Sequence, residues 1–469
     1  MNPAPRSLIV GLLFAVSLGC SGDEKKKKKE PLTAESCPAL PLGPYQYAAD
    51  KAPQAPVPEG AGLEALPLAL QGADNGDMSV LYGAAMMGYY MIGVQRPTSC
   101  KEDSGKPCMP YVYQYDPRTD APTTEEMIHR QVVGALGQAW LYKVTGRPEF
   151  GLSAKGAVDV LLPRSKVDAD GRRQLQDLGA TALMVMTLSQ LDIGYGTRNY
   201  SAELDSFGKQ ILHQQRPNGS FKAGSPLVWM QLHNALWRLY DYTQDPAYLE
   251  ALAKAAKNAY DRRAERAKGQ YFEYPYLYGL WALEPLTELV AVRPAEAAWI
   301  SELVYFVADD VAGAQYDLSN TTTCKYVGGF KPNNGKGHPN WNHTIKLEAV
   351  ADAYRYAKQA GDAERTARYK ASALAGAAYL LQFQHRAGDT GDYPNKIKPI
   401  GGVPLFGGDP SVRIDIPGHG AVAMLKVATY IGDETVPGRV IPGLPALAAA
   451  PAAAPEPGAG APDGSPAQP

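Results

Sequence analysis

The chain has almost none of the period-two alternation of apolar and polar residues that marks half-buried strands; the clearest instance is the short Tyr111-Val112-Tyr113-Gln114-Tyr115. A sandwich or barrel of many strands is therefore excluded. An excess of one charge is missing as well. The 46 Lys and Arg face 48 Asp and Glu, a net charge of -2, and no basic stripe offers a nucleic acid a surface. Neither a phosphate-cradling glycine loop nor a nucleophile elbow is present, so no cofactor is expected. Phenylalanine is scarce, at 9 residues against 28 Tyr, which favours aromatic surface that also carries a hydrogen-bonding group.

What is there begins with a leader. Arg6 precedes the apolar run Leu8 to Leu18, too short to span a bilayer, which takes roughly 20 apolar residues. It reads as a signal-peptide core, residues 1–20. The ending Leu18-Gly19-Cys20 resembles a bacterial lipobox, which implies lipidation of Cys20; an ordinary signal peptide is the other reading. Either one exports the protein to the cell envelope, the first with a lipid anchor as its single membrane contact. Residues 21–74, with Lys25 to Lys29 and many prolines, read as a tether and N-terminal arm. Residues 434–469 are Ala, Pro and Gly with too few large apolar side chains to bury a core, a disordered tail.

Beyond Cys20 four cysteines remain, an even number in a compartment that permits disulfides. Cys100 and Cys108 flank a turn-forming segment and are expected to pair. Cys37 with Cys324 would then pin the arm to the body. Cys324, His338 and His343 also have a spacing that zinc could use, but no fourth ligand lies near them in sequence, and no metal is expected.

Residues 75–433 hold roughly twelve segments of helical periodicity, near 78–95, 124–145, 149–162, 176–191, 200–215, 229–243, 247–268, 277–291, 296–311, 343–360, 364–384 and 414–431. Internal repetition groups them. Polar turns opening on Gln95, Gln215 and Gln384 alternate with Ala/Leu/Tyr helices such as Ala135 to Phe150, Ala235 to Tyr248 and Ala349 to Tyr369. Six helical hairpins make an all-α (α/α)6 toroid, with an open solenoid as the alternative. Even-numbered helices are rich in small residues, as in Val133-Gly134-Ala135-Leu136-Gly137, and suit a crowded inner ring; odd-numbered ones carry more charge and suit a solvated outer ring.

The order of units, the turn Gln215-Arg216-Pro217-Asn218-Gly219-Ser220-Phe221 and the closing Arg413-Ile414-Asp415-Ile416-Pro417-Gly418-His419 resemble the bacterial six-hairpin proteins. These include six-hairpin glycosidases, polysaccharide lyases and the helical domain of glucuronyl C5-epimerases. The resemblance implies a site where loops feed into the inner helices, and those junctions are polar and aromatic here. His129 and Arg130 open the second helix, Asp177 the fourth, and Trp229 and His233 the sixth. Tyr274 and Tyr276 precede the eighth, which carries Glu284. Trp341 and His343 open the tenth, and Arg413, Asp415 and His419 the last.

Asp415 and His419 are spaced i, i+4 and share a helix face, so the carboxyl group can hold the imidazole tautomer. Asp415 and Glu284 are the acid/base candidates, with His419 and His129 completing the catalytic set and Glu348 as a further inner-helix carboxyl. Arg413 and Arg130 would hold a substrate carboxylate, and Tyr274, Tyr276, Trp341, His343 and Asp177 would line the sugar site. Arg413, Asp415 and His419 could equally be a structural tie at the start of the last helix. The partner is an oligosaccharide or polysaccharide, handled by a glycoside hydrolase, uronate lyase or epimerase type of enzyme or held by a non-catalytic binding or scaffold lipoprotein. Sequence is silent on oligomeric state. The leader yields the first test: Cys20→Ser is expected to lose palmitate labelling and move to the soluble periplasmic fraction or medium, and unchanged membrane fractionation would reject lipidation.

Overall fold

The computed structural model describes residues 32, 37, 80–97, 99–102, 105, 108–123, 127–222, 226–263, 281–332, 337–340, 342–405 and 408–432. The signal segment with Cys20, nearly all of the tether, and the tail lie outside the described residues, as do Tyr274, Tyr276 and Trp341. The described chain forms α1 (Val80–Gly93), α2 (Ile128–Thr145), α3 (Pro148–Leu161), α4 (Leu178–Tyr195), α5 (Ser201–Gln214) and α6 (Pro226–Thr243). It continues as α7 (Pro246–Asp261), α8 (Leu283–Val292), α9 (Ala297–Gly313), α10 (Asn342–Gln359), α11 (Ala363–Phe383) and α12 (Asp415–Gly432). Local chemistry sets several boundaries. Asp177, Asp245 and Asp362 accept backbone N–H groups at the starts of α4, α7 and α11, while Gly146 and Gly196 end α2 and α4 in the left-handed region. Among the described residues no helix is long and apolar enough to cross a membrane.

The even-numbered helices form the inner ring. α2 packs against α4, α4 against α6, α6 against α8, α8 against α10, α10 against α12, and α12 returns to α2. The ring is closed. α12 also packs extensively on α1, so the last inner helix pairs with the first outer one and the chain ends are sewn together. Closure demands close approach at the seam. A Cβ on Gly418 of α12 would lie 2.7 Å from the Val133 carbonyl oxygen of α2, and one on Gly137 would lie 2.8 Å from the Gly418 Cα. These are the small residues the sequence placed inside the ring.

The outer helices are fastened to one another by the glutamine turns. Each Gln follows an outer helix, and its side-chain amide donates to a carbonyl of the next outer helix: Gln95 to Ser153 at 2.9 Å, Gln215 to Ala251 at 2.7 Å, and Gln384 to Gly83 at 2.9 Å. Gln315 makes the same bond to Ser372, at 2.9 Å, as a fourth copy. Gly219, Gly328 and Gly401 in these turns have φ of +85°, +85° and +86°, and a Cβ on each would sit 2.1, 2.3 and 2.0 Å from a carbonyl oxygen of the next outer helix. Only glycine meets both demands.

A three-stranded sheet supports the start of α12. β1 (Gln114–Asp116) lies between β2 (Ala121–Pro122) and β3 (Val412–Arg413), both antiparallel, with Gln114 opposite Arg413. Both cysteine pairs are disulfides, Cys100 with Cys108 and Cys37 with Cys324. Gly418→Ala is expected to lower unfolding free energy by about 1–3 kcal/mol through overpacking at the seam. Gly313→Ala in α9, where a Cβ meets nothing within 4 Å, is the control and should be neutral or slightly stabilising in the same denaturant titration.

Candidate functional site

The loops from outer to inner helices gather at one end of the toroid, the mouth, where the inner helices begin. Three polar groups meet there. The first is Arg413, aimed by β3, which grips Asp415 in two parallel bonds of 2.6 and 2.9 Å. Arg130 of α2 approaches the same carboxyl at 3.7 Å and donates to the Tyr113 hydroxyl. Asp415 therefore joins α12 to α2 and to the sheet.

The second group is His419 with Glu348. His419 lies one turn beyond Asp415, but its Nδ1 faces Glu348 Oε1 of α10 at 3.0 Å, and its ring lies 5.0 Å from that of Trp281. Both side chains are buried. A carboxyl on Nδ1 places the imidazole proton there and leaves Nε2 as the basic nitrogen.

The third group is His129, held between Asp177 and Gln231. The Gln231 amide donates to His129 Nε2 at 3.1 Å, which turns Nδ1 towards Asp177 at 4.0 Å. His129 beside it, with the backbone N–H of Ala180, holds the Asp177 carboxyl below its ordinary range against partial burial. Gly179 makes room, since a Cβ there would lie 2.8 Å from the His129 ring.

Deeper in the ring is a cluster of charges. Lys426 of α12 donates to Glu284 of α8 at 3.1 Å and to Asp352 of α10 at 2.8 Å, and Arg238 of α6 pairs with Glu284. Burial opposes charge on Glu284, yet Arg238 and Lys426 hold it well below the usual carboxylate range. Burial pushes Asp352 up to about 6 against the pull of Lys426. The Trp140 ring carries Lys143, Arg238 and Lys426 at 5.0, 5.6 and 5.7 Å from its centroid.

Some expected site residues thus take other places. Glu284 is enclosed by two cations below the mouth, and both Asp415 oxygens are taken by Arg413. His343 faces outwards: its Nδ1 accepts from the Phe330 N–H at 3.3 Å and its Nε2 donates to the Gly376 carbonyl at 2.9 Å, which braces α11. Burial pushes it down to about 3, so it is neutral. Cys324 is in a disulfide and is no zinc ligand. Among the described residues no three His, Cys, Asp or Glu side chains gather to hold a metal. Lys426, Arg238, Asp352, Gln231 and Trp281 were not singled out from sequence; a Lys or Arg inside an otherwise apolar or small-residue inner helix was the one available signal.

No protein-family model and no curated protein sequence matches the chain. Solved structures do. Cellobiose 2-epimerase from Bacillus thermoamylovorans superposes with a TM-score of 0.50 at 12% identity, covering 70% of this chain and 94% of that one. A sugar epimerase from a ruminal bacterium gives 0.49 at 12%, covering 73% and 98%. A D-mannose isomerase gives 0.47 at 16%, covering 74% and 97%. The fold is that of the six-hairpin toroid proteins, and at these identities the likeness extends to the fold alone.

The Arg413 grip on Asp415 predicts a structural cost. Asp415→Asn is expected to lower unfolding free energy by roughly 1–3 kcal/mol, because Arg413 keeps its burial and loses half of its bidentate partner. An unchanged denaturation midpoint would mean that the pair is not a tie.

Proposed function

We propose that this protein is an exported, lipid-anchored enzyme of the cell envelope that acts on an oligosaccharide or polysaccharide by proton transfer at carbon, as an epimerase or uronate lyase does. The observation that carries this reading is the His419–Glu348 pair at the mouth. It supplies a nitrogen base with a fixed tautomer, packed against the buried Trp281 ring. Two-carboxylate hydrolysis is less well supported, because Asp415 and Glu284 are both engaged by cations. The superposition with cellobiose 2-epimerase supports a sugar substrate by analogy of fold. Two disulfides and the leader sequence support export.

In this reading His419 Nε2 removes a proton from a carbon next to a carbonyl or carboxylate of the sugar, and the electron pair moves onto that group's oxygen. Arg130 lies at the same end, where a cation favours the negative charge that develops. A proton taken from water on the opposite face of the carbon, with His419 releasing its own to solvent, completes an epimerisation; expulsion of a neighbouring glycosidic oxygen, which takes up the proton from the imidazolium, completes an elimination. Glu348 orients the ring and stabilises the imidazolium while the proton is on it. The second reading, a binding module, is favoured by the closed Arg413–Asp415 pair, which leaves that carboxyl no free oxygen for chemistry.

His419→Gln is expected to cut turnover by about 10²–10⁴-fold while glycan binding persists, the usual worth of a general base. Glu348→Gln should lower kcat less and shift its pH profile. In deuterium oxide an epimerised product should gain one deuterium per turnover, whereas elimination gives an unsaturated sugar. Full activity in His419→Gln sinks the proposal, and binding without turnover of any glycan in a broad panel leaves the binding module.

A further inference from the structure

The disulfide between Cys37 and Cys324 decides which end of the toroid a lipid anchor would face. Cys324 lies in the loop from α9 to α10, at the mouth, inside the turn that Gln315 closes on Gly328. Outer helices run towards the mouth, so α1 begins with Val80 at the opposite end. A chain anchored at Cys20 and joined to the body only through Val80 would hold the toroid from that far end, through roughly 60 residues with a reach of at most about 210 Å. The disulfide replaces this with a first fixed point at the mouth, roughly 17 residues from Cys20 and so at most about 60 Å away. Lys25 to Lys29 fall inside this shorter leash, and their five ammonium groups are drawn to anionic lipid headgroups. With the lysines on the surface, the remaining eight or so residues extend at most about 28 Å.

We propose that Cys37–Cys324 turns the mouth towards the membrane that carries the protein, so that its substrate is glycan presented at that membrane surface rather than sugar captured from solution. This rests on the reading of a lipid-anchored carbohydrate enzyme given above. The disulfide is also what makes the orientation conditional, since reduction would return the leash to Val80 and free the mouth.

The test couples the mature chain, beginning at Cys20, to vesicles of anionic lipid through a maleimide lipid. The other four cysteines are in disulfides, so Cys20 alone reacts. An azide-bearing amino acid replacing Ser319 at the mouth or Gln359 at the far end carries a donor fluorophore, and the vesicles carry an acceptor on a headgroup. Transfer should be at least twofold stronger from position 319 than from 359. The difference should vanish or reverse in the double variant Cys37→Ser, Cys324→Ser, and should shrink when a flexible segment of 30 residues is inserted after Glu30 with the disulfide intact. Equal transfer from both positions, or a difference unmoved by either change, overturns the proposal. Because the coupling is chemical, this outcome is independent of whether cells lipidate Cys20, which palmitate labelling reads, and of whether His419 is catalytic, which turnover reads.

Discussion

Lys426 is the interaction on which the inner ring turns. Its ammonium group is buried in α12 and contacts carboxyls from α8 and α10, while Arg238 of α6 shares the Glu284 partner, so four of the six inner helices meet at one cluster. Burying such a cluster yields little stability, since desolvation consumes most of what Coulomb attraction gives. What it gives is register. Apolar inner faces made of Ala, Gly and Leu would pack acceptably at several rotations, whereas a single arrangement brings one ammonium within hydrogen-bond reach of two carboxyls from different helices. The glycine seam between α2 and α12 then acts on a ring whose helices are already rotationally fixed.

That division explains how the mouth can be polar. The cluster fills the deeper part of the ring with groups that satisfy one another, so nearer the mouth the Arg413–Asp415 pair ties α12 to α2 and the sheet while His419 and Glu348 pair separately. His419 is the case in point. It lies on the same helix as Asp415 and Lys426, its partner is on α10, and the residue before it, Gly418, is the one packed against the α2 backbone. Asp415 is spent differently, on fixing the helix start to the sheet through Arg413.

Much of the architecture was legible because it is written in local, repeated signals. The alternation of small-residue and charged helices identified inner and outer rings, and polar turns opening on Gln marked three of the outer-helix ends. The copy at Gln315 escaped notice: its glycine, Gly328, comes 13 positions later, whereas Gly219 follows Gln215 by four, yet both reach the next outer helix as in the other turns. Closure was not legible at all, since it depends on α12 meeting α1 and α2 across more than 270 residues of chain.

Sequence named residues that the structure places at the mouth, among them Asp415, His419 and His129, but not their pairings. Asp415 and His419 at i, i+4 invite the inference that they bond to each other, and helix geometry permits it. Two competing partners decide otherwise. A guanidinium two residues away on an extended strand offers Asp415 a planar, bidentate match that an imidazole cannot, and once Asp415 is taken, His419 is left to the nearest unclaimed carboxyl, Glu348, 71 residues away in sequence. The same competition assigns Glu284 to Arg238 and Lys426. Where several acids and bases share one lumen, the geometry of the cations determines which carboxyls are consumed as structure, and the pair left over is the one the proposed proton transfer would use.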